Sequence, residues 1–173
     1  SFAFQIMAYI SRMKLMNETI KLAKTFNVPY VYIITERCLY TDNYVFAKML
    51  YEQGDMEDVY YQIYQKWVTG FSDSINATKI VYVNTSAINC HCRVSTRARE
   101  GEDIIPLSYL EQCGKYHDSY IYEYSPTNGV DTLEIDGNLN INETPELIHD
   151  WCSLVMVFIQ TRNTTSTNQC PHI

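Results

Sequence analysis

Hydrophobic positions along the chain follow two rhythms, one of helices and one of strands. Between residues 2 and 26, apolar side chains recur every three or four positions, which predicts an amphipathic helix. Continuous apolar runs at 28–34 and 79–83 are typical of strands buried on both faces of a sheet. Residues 131–135, which are followed by a turn at 136–138, are predicted to form a third strand.

Helical segments separate these predicted strands. Thr41 with Asp42 and Ser86 are suitable helix N-caps, and Pro106 suits the first turn of a helix. Together with the apolar spacing, they predict helices at 41–51, 55–75, 86–97, 106–124 and 144–160. Strands joined by helices of this length form parallel sheets with right-handed crossovers. The pattern therefore predicts an α/β fold, a parallel β-sheet flanked by helices, in one domain over 1–162 with a disordered tail at 163–173.

Composition and charge narrow the function classes. The 173 residues are 46% hydrophobic and 19% charged, as in ordinary globular domains, and the net charge is −7. The chain has no long block of Lys or Arg and no apolar run of about 18 residues. We therefore expect no nucleic-acid partner and no membrane partner, whereas a small anionic ligand remains compatible with a few converging arginines.

The glycines and cysteines exclude two kinds of site. The 6 glycines are widely scattered, which excludes a glycine-rich phosphate-binding loop within these residues. The 6 cysteines fit no zinc-binding spacing, Cys90-His91-Cys92 included, because adjacent side chains on a helix point in different directions. We expect these thiols to be reduced and the protein to be cytoplasmic, with mitochondria and the cytosol of a virus-infected host left open.

Glu36 and Arg37 directly follow the first predicted strand, where parallel sheets bind ligands. An arginine fork suits phosphate oxygens or a sugar hydroxyl, and a carboxylate beside it can hold magnesium or accept a hydroxyl proton. A helix cap or a surface ion pair explains the same two residues equally well.

Three arginines lie in and just beyond the helix that follows the second predicted strand. Arg93 and Arg97 share a helix face, and Arg99 follows them. Converging cations of this kind can neutralise a transferring phosphoryl group. The alternative is a solvated face on which they pair locally with Glu100 and Glu102.

A glutamine and an arginine border the apolar stripe of the first helix. Gln5 and Arg12 are two turns apart on the same side, beside Phe4 and Ala8. Such a pair can read the edge of a planar base. It can equally be the polar border of an ordinary amphipathic helix.

Several segments resemble one enzyme family. Residues 36–46, ERCLYTDNYVF, resemble the E-R-S-x-x-S-D-R-Y-x-F segment of the cellular deoxyribonucleoside kinases. Residues 93–111, RVSTRAREGEDIIPLSYLE, resemble that family's arginine lid and the I-P-L-x-Y-L-E helix after it. The opening SFAFQ…SR is similar to the helix before the E-R-S strand. The resemblance runs in order from Ser1 to about Asp136.

The resemblance implies a P-loop nucleoside kinase fold and an activity. The family transfers the γ-phosphate of ATP, or another nucleoside triphosphate, with Mg²⁺ to the 5′-hydroxyl of a deoxynucleoside in nucleotide salvage. It also implies a homodimer, for which the helices at 2–26 and 55–75 are candidates. The family's phosphate loop and general base match nothing in this chain, which starts without methionine and already in helical rhythm. We therefore expect an N-terminally incomplete kinase with little activity alone.

The resemblance also assigns roles to single residues. Glu36 matches a carboxylate near the magnesium ion, and Arg37 matches the arginine that contacts the 5′-oxygen. The glutamine that bonds the base, an aromatic wall of its pocket and the acid that holds the sugar 3′-hydroxyl correspond to Gln5, Phe46 and Glu102. The lid arginines around the donor phosphates correspond to Arg93, Arg97 and Arg99, of which Arg97 also matches a contact to the donor base. The donor-base loop falls at Asp136, Gly137, Asn138 and Leu139.

Substrate preference follows from the same resemblance. Arg12 and Asp42 match the charged pair of the deoxycytidine and deoxyguanosine kinase branch, and Ala8 matches the small residue between them. Thymidine-accepting members have less polar residues there, so we expect deoxycytidine and purine deoxynucleosides to be preferred. Cys38 and Asn43 depart from the family's usual serine and arginine. The alternatives are a non-catalytic assembly subunit on the same fold and a nucleoside monophosphate kinase of the thymidylate kinase type.

Overall fold

The computed structural model describes residues 2–71, 77–102 and 105–161. Its helices are α1 Phe2–Ala23, α2 Leu39–Thr41, α3 Lys48–Glu52, α4 Asp58–Phe71, α5 Ala87–Arg97, α6 Leu107–Asp118, α7 Ser125–Thr127 and α8 Glu146–Gln160. Its strands are β1 Lys79–Asn84 and β2 Asp131–Asp136, and π-helical segments at Asp42–Ala47 and Ser119–Tyr124 join α2 to α3 and α6 to α7. The tail predicted at 163–173 lies outside the described residues.

The two strands form a parallel pair, which confirms the predicted strand direction. Lys79 lies opposite Asp131 at one end of the ladder, and Asn84 lies opposite Asp136 at the other. Helix α8 packs against β2. Because both strands end in the same register, the segments that follow them start at the same edge of the sheet, where ligands of α/β proteins bind.

The segment 28–34 departs from the predicted fold. The apolar run predicts a buried strand there, but neither helix nor strand forms. Its large apolar side chains are exposed, namely those of Val28, Tyr30, Val31, Tyr32, Ile33 and Ile34. A strand exists only through hydrogen bonds to a neighbouring strand, and among the described residues β1 and β2 pair with each other alone. The prediction of a buried strand at 28–34 is therefore wrong for these residues.

Helix boundaries agree with the sequence where a cap decides them and differ elsewhere. The Ser86 hydroxyl accepts the backbone N–H of Asn89, so the predicted cap of α5 is confirmed. The helix expected from Thr41 and Asp42 instead begins at Leu39, because those two residues are already helical. The helical segment expected to stop at 124 continues for three more residues, as α7.

Contacts divide the chain into two compact units. Among the described residues, the first comprises 2–71, 77 and 112–120, and the second comprises 78–102, 105–111 and 121–161. The core of the first unit joins α1, α2 and α4 around five buried residues, Tyr9, Leu39, Ala47, Tyr64 and Val68. The second unit contains both strands, α5 and α8. In the described ranges, no helix is both long and apolar enough to cross a bilayer.

Candidate functional site

An ion pair in the first unit joins two residues predicted to recognise a base. Arg12 Nε donates to Asp42 Oδ2 at 2.7 Å, and Arg12 Nη2 donates to Asp42 Oδ1 at 3.3 Å. The Asp42 side chain is 4% exposed and that of Arg12 is 25% exposed. Two parallel hydrogen bonds fix the planes of both groups, so the pair presents a defined polar surface. Arg12 comes from α1, and Asp42 opens the π-helical segment Asp42–Ala47.

The same arginine also holds the turn that carries Glu36 and Arg37. Arg12 Nη1 donates to the Glu36 carbonyl oxygen at 3.0 Å, and Thr35 Oγ1 donates to the Arg37 carbonyl oxygen at 2.9 Å. Arg37 has a φ of 61°, a left-handed conformation that is unfavourable for a residue with a side chain. These side-chain bonds therefore stabilise a strained turn next to the predicted base pocket.

Arg37 lies against the predicted aromatic wall. Its guanidinium carbon is 4.7 Å from the centre of the Phe46 ring, within range of a cation–π interaction. His117 from α6 meets the same ring edge to face, with centroids 5.8 Å apart and an interplanar angle of 84°. The His117 Nδ1 lies 2.7 Å from the Cys113 carbonyl oxygen. Phe46 thus connects the predicted phosphoryl-contacting arginine with a half-buried histidine.

Burial and a neighbouring positive charge favour the neutral form of this histidine. Burial lowers the pKa of His117 most, and the nearby Arg37 charge lowers it further. The Cys113 carbonyl and Asp118 oppose that shift. The carbonyl bond places the proton on Nδ1, since a carbonyl oxygen can only accept.

Gln5 and Ala8 lie on the α1 face that also carries Arg12. Gln5 is 6% exposed and Ala8 is half-buried. Gln5 lies two turns and Ala8 one turn before Arg12 on one side of the helix. Within the first unit, Gln5 and Ala8 therefore share a helix side with Arg12, which in turn bonds Asp42.

Glu36 is the residue predicted to hold magnesium. Its side chain is exposed, and the described residues contain no group of three or more His, Cys, Asp or Glu side chains arranged around a cation position. Mg²⁺ in phosphoryl-transfer sites is held by one or two carboxylates together with substrate phosphates and water. A single exposed carboxylate such as that of Glu36 is compatible with that donor set.

The two departures from the family motif have partners within the first unit. Cys38 Sγ lies 3.3 Å from Thr41 Oγ1 and 3.6 Å from the Tyr120 hydroxyl. Asn43 is 3% exposed, and its Oδ1 accepts a hydrogen bond from Gln65 Nε2 at 2.7 Å. Both residues therefore serve packing between helices, and Asn43 is turned towards α4 rather than towards solvent.

In the second unit, the arginine that ends α5 and the one just after it, Arg97 and Arg99, both pair with Glu102. Arg97 donates to Glu102 Oε2 from Nε at 3.0 Å and from Nη2 at 2.7 Å. Arg99 Nη1 lies 4.0 Å from Glu102 Oε1. The chain leaves the helix at Ala98, whose φ is 47°. The local Arg–Glu pairing that the sequence left open is therefore present, and it brings three of the predicted site residues together.

Arg93 is directed towards the turn after β2. Its Nη2 donates to the carbonyl oxygens of Leu139 at 3.2 Å and Asn138 at 3.4 Å. Asp136 Oδ1 accepts hydrogen bonds from both the backbone and the side-chain nitrogen of Asn138, each at 2.9 Å. The predicted donor-base loop and the first lid arginine are thus in contact.

Two groups beside the predicted pocket were not identified from the sequence. One is the half-buried His117, described above. The other is Tyr64, which is fully buried and whose hydroxyl has no hydrogen-bond partner among the described residues. Burial raises the pKa of Tyr64 most, and the Asp42 charge raises it further. No local motif marks either residue, because their surroundings form only when separate helices pack together.

Comparisons with known proteins agree on one family. The family model described as deoxynucleoside kinase matches residues 1–159. Deoxycytidine kinase 2 of Gallus gallus is 31% identical over 154 residues, which are 87% of this chain and 55% of that protein. Deoxycytidine kinase of Homo sapiens is 30% identical over 138 residues, 78% of this chain and 53% of that protein. Mitochondrial deoxyguanosine kinase of Xenopus laevis is 31% identical over 125 residues, 70% of this chain and 47% of that protein. The chain thus spans about half the length of these relatives.

Proposed function

Because the chain belongs to the deoxynucleoside kinase family, we propose that it transfers the γ-phosphate of ATP or another nucleoside triphosphate to the 5′-hydroxyl of a deoxynucleoside in nucleotide salvage. The observation that carries this proposal is the two-bond pair between Arg12 and Asp42, next to Gln5 on α1. Relatives named as deoxycytidine and deoxyguanosine kinases support the same class of acceptor.

The Arg12–Asp42 pair also supports a preference among bases. The partly exposed Arg12 guanidinium offers donors, and the Asp42 carboxylate beside it offers acceptor lone pairs, which together match the exocyclic amine and carbonyl groups of cytosine and the purines. A thymine methyl group against this surface would leave charged groups without hydrogen-bond partners. Deoxycytidine and purine deoxynucleosides are therefore the proposed acceptors, with Gln5 bonding the base and Ala8 leaving space for it.

Arg37 and Glu36 act at the reacting oxygen in this proposal. Arg37, fixed against Phe46, contacts the 5′-oxygen and stabilises negative charge that develops during transfer. Glu36 holds Mg²⁺, which when bound supplies charge neutralisation at the phosphates. Phe46 forms a wall of the base pocket through the ring face that Arg37 leaves accessible.

The proposed roles of the second unit concern the donor and the sugar of the acceptor. Arg93, Arg97 and Arg99 surround the donor phosphates. Glu102 accepts a hydrogen bond from the 3′-hydroxyl of the deoxynucleoside. Arg97 and Glu102 are bonded to each other at 2.7 Å, so each must exchange this bond for one to a substrate when the site is filled. The segment from Asp136 to Leu139 lies beside Arg93 and is the proposed contact to the donor base, together with Arg97.

Phosphoryl transfer by these residues alone should be slow. The 6 glycines form no phosphate-binding loop, so no ring of backbone N–H groups is available for the β-phosphate. Joining the chain to a family N-terminal segment with G-x-x-x-x-G-K-[ST] should restore transfer of labelled γ-phosphate to deoxycytidine.

The matched variants separate catalysis from folding. In the joined protein, Arg37→Gln should reduce kcat by about 100-fold or more, whereas Lys14→Gln, on an exposed part of α1, should have no effect. If the joined protein folds but transfers no phosphate, the catalytic roles assigned here are wrong.

Assembly and compartment follow the family as proposals. We propose a homodimer through helices of the first unit, since α1 exposes Phe4, Met7 and Leu15 while α4 exposes Val59 and Trp67. Light scattering of the purified chain tests it: a monomer at micromolar concentration contradicts it. A cytoplasmic location is proposed because the five described cysteines form no disulfide with one another.

A further inference from the structure

We propose that the Asn138 side chain is a positioning residue that ties the turn after β2 to the start of α5 and thereby holds Arg93 in place. The inference rests on the proposed function only in assigning Arg93 to the donor phosphates. Besides the contact with the donor base proposed for its turn, the Asn138 side chain acts through Arg93 and through the start of α5.

The hydrogen bonds of Asn138 reach both segments that follow the parallel strands. Its Oδ1 accepts the backbone N–H of Ser86 and the side-chain Nδ2 of Asn89, each at 2.9 Å. Its own Nδ2 and backbone N donate to Asp136 Oδ1. One amide group therefore joins the N-terminus of α5 to the end of β2.

Asparagine has the combination of groups that this position requires. The carbonyl end must accept bonds from Ser86 and Asn89, and the amino end must donate to the Asp136 carboxylate. Aspartate at this position would accept the same two bonds but would place a second carboxylate against Asp136. Alanine would lose the connection and leave the Ser86 N–H without this acceptor.

The neighbouring glycine allows this close approach. Gly137 N donates to the Asn84 carbonyl oxygen at 2.7 Å, so the turn lies directly on the end of β1. A Cβ atom at Gly137 would meet Thr85 Oγ1 at 2.1 Å and Val83 Cγ1 at 2.7 Å. Residue 138 therefore reaches Ser86 only because residue 137 has no side chain.

Arg93 completes the link from the other end of the same turn. Seven residues after the Ser86 cap, it lies two helical turns along α5 and donates to the carbonyl oxygens of Asn138 and Leu139. Asn138 fixes the start of the helix while Arg93 bonds the turn. Loss of the Asn138 amide should therefore loosen α5 and release Arg93 from its position.

Two measurements on the 173-residue chain test this inference. The first is hydrogen–deuterium exchange of the α5 amides. The second is the dissociation constant for ATP with magnesium, compared with that for deoxycytidine. Asn138→Ala is compared with Asn140→Ala, because the Asn140 side chain bonds to Glu143 and Asn142 in its own loop and, among the described residues, to no part of α5. Asn138→Asp is compared with Asp136→Asn/Asn138→Asp, which exchanges the amide and the carboxylate.

The expected result is selective. Asn138→Ala should raise α5 exchange and the ATP dissociation constant by about five- to tenfold, as loss of a helix cap would, and leave deoxycytidine binding within about twofold. The exchanged pair should recover most of what Asn138→Asp loses. Equal α5 exchange in Asn138→Ala and Asn140→Ala overturns the inference, as does an equal loss of ATP and deoxycytidine binding. If the unsubstituted chain does not bind deoxycytidine, the proposed base pocket fails, and the exchange measurement alone still decides whether Asn138 holds α5.

Discussion

Arg12 and Asp42 are joined by two hydrogen bonds of 2.7 and 3.3 Å, and the same guanidinium bonds the Glu36 carbonyl oxygen at 3.0 Å. One side chain therefore connects the proposed base pocket with the strained Glu36–Arg37 turn. The fold tolerates the buried Asp42 carboxylate because the Arg12 guanidinium supplies the opposite charge and two hydrogen bonds.

Removing one partner of this pair should destabilise the protein. Arg12→Met leaves the Asp42 carboxylate buried without its cation. We expect a loss of about 2 kcal/mol in the free energy of unfolding, less than the roughly 3–5 kcal/mol of a fully buried pair because Arg12 is partly exposed. Urea unfolding measures this loss.

The double variant tests whether the two residues act as a pair. Arg12→Met with Asp42→Ala should be more stable than the sum of the single losses predicts, by about 1–2 kcal/mol. Strict additivity would show that the ion pair contributes no coupling energy in solution.

Substitution of Gly137 should be costly because the space beside it is filled. Gly137→Ala introduces a Cβ that would meet Thr85 Oγ1 at 2.1 Å, and we expect a loss of about 2 kcal/mol from overpacking. Gly114→Ala is the matched control, since nothing lies within 4 Å of its Cβ position in α6. That variant should gain about 0.5–1 kcal/mol from helix propensity. Thermal unfolding measures the change in melting temperature of both variants. Equal changes in the two variants would contradict the close packing at Gly137.

The buried Tyr64 hydroxyl should contribute nothing favourable to stability. Because it has no hydrogen-bond partner in the part of the chain that the structure describes, Tyr64→Phe should be neutral or stabilising by up to about 1 kcal/mol. Tyr9 is also fully buried, but its hydroxyl donates to the Val68 carbonyl oxygen at 3.5 Å. Tyr9→Phe should therefore be the less stable of the two variants. A clear loss on Tyr64→Phe, measured by urea unfolding, would show that the hydroxyl is bonded in solution.

The lowered pKa of His117 predicts a pH dependence of stability. The unfolded state, with an ordinary pKa of about 6.5, binds a proton before the folded state does, so stability falls as the pH decreases below that value. Burial and Arg37 oppose protonation, while Asp118 favours it. His117→Gln should reduce the loss of unfolding free energy between about pH 7 and about pH 5. His149→Gln, at an exposed site on α8, should leave the slope unchanged, and equal slopes for all three proteins would contradict the prediction.

The sequence was sufficient where local chemistry decides the structure. Ser86 caps its helix as expected because the cap depends on residues within one turn. The runs at 79–83 and 131–135 form β1 and β2 because each finds the other as a partner. The motif around Glu36 and Asp42 identified the family, and the family match over residues 1–159 confirms it.

Features that depend on distant contacts were not accessible in this way. The run at 28–34 has the composition of a strand but no strand partner among the described residues. The bond from Arg12 to the Glu36 carbonyl and the contact of His117 with Phe46 join separate elements. Asn138 was assigned only to a loop, although its side chain connects that loop to α5. Spacing within one element cannot reveal which element packs against it.

Substrate competition is the most direct measurement of the proposed function. The chain joined to a phosphate-loop segment is supplied with ATP, magnesium and an equal mixture of deoxycytidine and thymidine, and both monophosphates are quantified. If the Arg12–Asp42 pair recognises the cytosine edge as proposed, deoxycytidine should be phosphorylated with a kcat/KM at least about tenfold above that for thymidine. Phosphorylation of thymidine as fast as deoxycytidine would contradict the assignment of this pair as the base-recognising element.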